Sequence, residues 1–176
     1  MVRAGTDVVE YLLTLKTPSL TPDSWLIAGP FENGPDRAGL DREFPPEKGI
    51  DLKATYEGKA GKVSWRTIQA GAGNYFDLQA FHGAASPRSV SYLYRRIESP
   101  ADQEATILLG TDDGCKLWVN DQLVFTSRAT RAAAPEQDAV KVRLKKGKNK
   151  ILLKIDNGDG AHGFYFTVES AEELKR

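Results

Sequence analysis

Cysteine is almost missing from this chain: Cys115 is the single one, which excludes an internal disulfide and any zinc site built on cysteine pairs. Its place within an apolar run marks it as a small buried hydrophobe. Histidine is nearly as scarce, with His82 and His162 only. They stand far apart in the sequence, and no neighbouring Glu or Cys completes a metal-ligand set. Charge of one sign is missing too. Lys plus Arg and Asp plus Glu number 24 each, so no net field attracts nucleic acid or an anionic membrane. No apolar run approaches the roughly 20 residues that span a bilayer. No Gly-x-Ser-x-Gly elbow is found, and nothing singles out a pair of carboxylates for glycoside hydrolysis. The opening residues, Met1 to Thr6, lack the basic-then-apolar order of a signal peptide.

What is present is alternation. At 176 residues and 40% hydrophobic content the chain can bury one domain's core. Residues Thr6 to Lys16 carry apolar side chains at spacings of three and four, which predicts a short N-terminal helix. Pro18 and Pro22 end this lead-in over 1–22. Residues 23–170 read as a β-domain and 171–176 as a charged tail that forms a frayed helical turn. Trp25 to Ala28 predicts a strand stopped by Gly29-Pro30. Residues 32–62, rich in Gly, Pro and charge, predict a long loop or β-excursion over the edge of the core.

From Ser89 onward strands follow in quick succession, with turn signals between them and no helical period. Ile97 falls out of step with Val90, Tyr92 and Tyr94, which predicts a β-bulge near Arg95-Arg96. Val140 to Leu144 alternates strictly. Ile151, Leu153 and Ile155 face one way, with Lys154 opposite. The fold class is therefore all-β, an antiparallel sandwich of jelly-roll type with a short N-terminal helix.

Antiparallel succession sends alternate connections to opposite ends of a sandwich. The Thr111–Gly114 corner, the Ser127–Asp138 loop and the Asp156–His162 loop should share one end. The approach to Ser89, with His82 and Arg88, should join them. Asp112, Asp113, Asp156 and Asn157 are the candidate calcium ligands there, since carboxylates beside amide oxygens suit that ion. Asp112, Asp113, Arg128, Arg131 and His162 are the candidate ligand contacts, because Arg and carboxylate together match vicinal hydroxyls. Turn chemistry is the competing reading of the acidic corners. Trp65 is the aromatic most open to a sugar face, whereas Trp118, between Leu117 and Val119, reads as packed. The Lys145–Lys150 run reads as a solvated turn, so no nucleic-acid patch is expected.

The stretch from Gly110 through Asp112, Asp113, Gly114 and Trp118 to Asn120 resembles a galactose-binding-like jelly-roll module. The resemblance extends over Trp25–Phe31, Val140–Ile155 and Gly163–Phe166. Such modules occur in large secreted bacterial proteins, notably planctomycete-type ones, and beside glycosidase domains. Asp112-Asp113 is also similar to the paired Asp of PA14-type lectin domains. The resemblance implies a non-catalytic carbohydrate-binding accessory module of a larger extracytoplasmic protein. Glycan and neighbouring domains would be its partners and calcium a structural ion. A ligand-free interaction module is the alternative, and a small glycan-active enzyme a third. Two positions depart from the pattern. Asp121 stands where Gly is usual after Asn120, and His162 where Trp is frequent.

Overall fold

A computed structural model describes residues 18–176. The helix expected over Thr6–Lys16 lies outside the described residues. Thirteen strands follow in chain order: β1 (Ser19–Leu20), β2 (Ser24–Glu32), β3 (Thr55–Gly58), β4 (Gly61–Ser64), β5 (Arg66–Gln69), β6 (Phe76–Asp77), β7 (Ser89–Ser99), β8 (Gln103–Asp112), β9 (Cys115–Val119), β10 (Gln122–Ser127), β11 (Asp138–Leu144), β12 (Gly147–Asn157) and β13 (Gly163–Ser170). Two short helices, α1 (Pro45–Lys48) and α2 (Leu78–His82), stand between them. Among the described residues no helix is long and apolar enough to cross a membrane.

One sheet runs β1-β13-β8-β11, with β6 also on β13; the other runs β10-β9-β12-β7-β2-β5. The pairings within both sheets are antiparallel. This is the all-β sandwich that the alternation predicts. Trp25, Leu93, Ile107, Leu117, Leu153 and Phe166 are among the side chains that fill the space between the sheets. Cys115 is buried there as expected, and burial pushes its thiol up to about 11.

The six-stranded sheet is apolar on both faces. Leu93 and Ile97 of β7 point into the sandwich, while Val90, Tyr92 and Tyr94 belong to a second cluster on the outer face. Residues 33–64 cover that face: Phe44, Tyr56 and Val63 join Phe31, Tyr92 and Tyr94 in the second cluster. The long segment therefore lies over a sheet face and not just the core edge. The bulge expected near Arg95-Arg96 is absent, because β7 pairs with β12 without a register shift from Ser89 to Ser99. Ile97 looks out of step only if β7 has a single buried face. The irregularity lies one strand over, between Ala28 and Phe31 of β2. There the chain continues through Gly29-Pro30 instead of stopping. The shift puts Phe31 in the same outer cluster as Leu26 and Ala28.

Two further expectations change. The charged tail is anchored: Leu174 is buried in the core, and the Lys175 and Glu98 backbones exchange two hydrogen bonds of 2.8 Å. Nearby, the Ser170 amide donates to the Pro18 carbonyl at 3.0 Å. Lys154 does oppose Ile155, but it is fully buried against the covering segment. Its Nζ donates to Glu47 Oε1 at 2.6 Å and to the Arg42 carbonyl at 2.7 Å. Tyr92 donates its hydroxyl to the same Glu47 oxygen.

Candidate functional site

The loop end forms where β7 begins and β8, β10 and β12 finish. Asp112, Asp113, Arg131, Asp156 and Asn157 gather there, joined by two residues that no sequence pattern marks, Asn33 and Arg37. Arg37 sits in a tight Gly-Pro-Asp-Arg turn in which Asp36 and Arg37 both adopt left-handed φ values, 51° and 57°. Such a conformation costs roughly 1–2 kcal/mol per residue. Four hydrogen bonds offset it. Arg37 Nε and Nη2 grip Asp156 at 2.6 and 2.7 Å, Nη1 donates to Thr130 Oγ1 at 2.7 Å, and Nη2 reaches the Ala129 carbonyl at 3.1 Å. Asn33 Nδ2 adds a bond to Asp156 at 3.1 Å.

The Gly110 to Gly114 motif makes room for this. A Cβ on Gly110 would overlap the Ala134 carbonyl of the crossing loop. A Cβ on Gly114 would sit 2.6 Å from Arg37 Nη2 and 2.7 Å from Asp156 Oδ1. The two glycines are spacers for a polar layer, and only the corner between them carries carboxylates.

Most of the residues chosen from sequence are already engaged. Asp113 accepts the Arg131 amide at 2.9 Å and the Gly158 amide at 2.9 Å, which is turn chemistry. Arg131 Nε donates to the Thr111 carbonyl at 3.2 Å, and its guanidinium pairs with Asp138. Arg128 forks onto Asp41 at 2.6 and 2.7 Å beside Lys116, and the two cations hold the Asp41 carboxyl well below its usual range. Asn157 Nδ2 donates to the Ser86 carbonyl at 3.0 Å.

His162 is fully buried, with Nδ1 3.3 Å from Ser86 Oγ, so it offers no face to a ligand. Its ring lies 6.0 Å from that of His82, a juxtaposition that their separation in sequence hides. Burial pushes His162 down to about 3 and His82 down to about 4. Trp65 is not at the loop end. It is half-buried on the outer face of the six-stranded sheet, bonded through Nε1 to Tyr56 at 3.2 Å. Trp118 is half-buried against the same outer cluster.

Of the four candidate calcium ligands, Asp113 and Asp156 already have their carboxylate oxygens engaged, Asp156 by a guanidinium and Asp113 by amides. Among the described residues no group of three His, Cys, Asp or Glu side chains is spaced to hold a metal ion.

Asp112 is the exception. Thr111 shares the strand parity of Ile107 and Leu109, which point into the sandwich, so Asp112 points out of the other face of β8. It is 7% exposed, and no hydrogen bond joins its carboxylate to another described residue. Desolvation, and then the Asp113 charge, push it up to about 6, with Arg37 acting in the opposite sense. Directly across the ladder stands Gly163, and the Tyr75 hydroxyl occupies the space where a Gly163 side chain would lie. The Tyr75 and Tyr165 rings pack with centroids 5.1 Å apart and planes tilted by 41°. Tyr165, in register with Gly110, then borders a pocket of about 190 Å³ whose walls include Asn74, Leu108, Glu136 and Thr167. One unpartnered carboxylate, two tyrosine rings and a polar-walled pocket thus share one sheet face. In the sequence Tyr75 stands beside a Gly-rich turn and Tyr165 in the last strand, and nothing pairs them.

No protein-family model matches the chain, and no curated protein matches it. Its fold does have solved counterparts. Part of a β-glucuronidase from Faecalibacterium prausnitzii superposes with a TM-score of 0.57, at 12% identity over 89% of this chain and 32% of that one. A β-glucosidase from Kluyveromyces marxianus in complex with glucose gives 0.55, at 15% identity over 90% and 20%. A GH2 β-galacturonidase from Eisenbergiella tayi bound to galacturonate gives 0.50, at 14% identity over 88% and 24%. The fold is shared with a sandwich inside longer glycosidase chains. This chain spans about a third or less of each of them, and at these identities the likeness is one of fold.

Proposed function

We propose that the chain is a non-catalytic carbohydrate-binding accessory module of a longer, extracytoplasmic glycan-acting protein. The observation that carries this reading is the Tyr165 pocket. An aromatic ring set among amide, hydroxyl and carboxylate groups can stack on the C–H face of a sugar while the polar groups take its hydroxyls. Asp112 supports it. A largely desolvated carboxylate without a partner weakens the fold, and such groups cluster at functional sites. The sandwich seen inside glycosidase chains agrees with an accessory role. Asp156 with Arg37, Asp113, Arg131 and Asn157 form a hydrogen-bonded layer at the loop end, and the proposed pocket draws neither on them nor on calcium.

A glycan array probed with and without calcium tests the reading. The expected result is one glycan class bound equally in both conditions. Tyr165→Ala should reduce its affinity about tenfold or more, a loss of about 1.4 kcal/mol or more. An array empty in both conditions overturns the reading. Binding that Tyr165→Ala leaves intact moves the site elsewhere.

A further inference from the structure

A second pocket lies along the C-terminal half of β2. Strand β5 pairs only with Ser24–Ile27, so Gly29 and Pro30 have no β5 neighbour on that side. The β4 segment and α2 close the space instead, leaving about 400 Å³. Its charge is one-sided. Lys62 and Arg66 line it together with the neutral His82 ring, Ser64 and Phe81, and no carboxylate is among the described residues that do. The Arg66 guanidinium lies 4.4 Å from the Phe81 ring centroid, which fixes it in place. Neither Arg66 nor Lys62 is in an ion pair among the described residues, whereas Arg37, Arg128 and Arg131 at the loop end all are. His82 Nε2 lies 2.7 Å from Ser91 Oγ, and its Nδ1 is buried with no partner.

We infer that this pocket binds the anionic group, carboxylate or sulfate ester, of an acidic saccharide. A fork of guanidinium donors suits either anion, and an ammonium and a hydroxyl beside it complete the polar contacts. The volume admits a sugar ring and not only the anion. The saccharide part of the inference rests on the carbohydrate reading above; the anion part does not. The site is also separate from Tyr165, which lies on the other sheet.

The test is a titration of the isotope-labelled chain with glucuronate, inorganic sulfate and glucose, followed by NMR at the Arg66 side chain, the Ser64 amide and the His82 ring. Saturable shifts with glucuronate but not glucose are expected. Arg66→Ala and Lys62→Gln should each weaken glucuronate about tenfold or more, and Lys145→Gln, on the exposed turn between β11 and β12, should not. Shifts with sulfate alone support the anion site and assign it to sulfate esters. No saturable shift with either anion overturns the inference, as does an equal response to glucose. Spectral dispersion of each variant separates a lost site from a lost fold. An empty glycan array with saturable anion shifts would leave this pocket standing and remove the Tyr165 site.

Discussion

Asp112 carries the sharpest consequence at the scale of a residue. Its folded pKa, about 6, lies above the ordinary 3.8 of the unfolded chain. The folded state therefore holds a proton that the unfolded state releases between those values, and stability falls as pH rises through this window. Above pH 6 the penalty is complete. It is at most about 3 kcal/mol for a shift of this size, and about half that once the water at the carboxylate's open edge is counted. Asp112→Asn should raise the urea midpoint at pH 7 and leave it nearly unchanged at pH 4. Equal midpoints at pH 7 would show a carboxylate that is hydrated or bonded. The Asp-Asp corner was legible as a functional candidate. Which of the two residues was free was not. That choice depends on which face of β8 each side chain takes and on amides donated from loops 18 and 45 residues further on.

Among the elements, the covering segment is pinned at its middle by the buried contact of Lys154 with Glu47. Lys154 and Glu47 are 107 residues apart, and their side chains are 0% and 13% exposed. Burial lowers the Lys154 pKa, opposed by the Glu47 hydrogen bond. Lys154→Ala would leave Glu47 beneath the segment without its cation, an expected loss of about 3–5 kcal/mol by urea unfolding. Lys154→Met with Glu47→Gln should lose much less, since no charge is then stranded. Equal losses would mean that packing and not charge holds the segment. The strands from Ser89 onward were legible from their alternation and turns, and so was the end at which their loops meet. A loop or β-excursion over the core edge was legible, but its cover of a whole sheet face was not. Residues 33–64 have no period of their own, and alternation in β7 cannot report a second apolar face. Arg37 was lost for the same reason, since it lies in a run whose only visible property is Gly, Pro and charge.

For the molecule as a whole, acid should act through the buried histidines. Both have folded values, about 4 for His82 and about 3 for His162, below the ordinary 6.5. The unfolded state then binds more protons below pH 6.5, so stability is lost as pH falls, by up to about 1.4 kcal/mol per unit for each ring. Asp112 works against this between pH 6 and 4, but as one group against two. The urea midpoint should drop steadily from pH 6.5 to 4, and a flat profile would show rings that charge without cost.

The bond between Ser170 and Pro18 has a partner nearby, where the Arg176 guanidinium pairs with Asp23. Both lie at the far end of the sandwich from Arg37 and Asp156. A reporter fused after Arg176 would therefore leave beside Pro18 and Thr21, whose carbonyl accepts a hydrogen bond from Arg176 Nη2 at 3.2 Å. Thr21 also walls the Tyr165 pocket, so a tether at that end should crowd the pocket while leaving the loop pole open to solution.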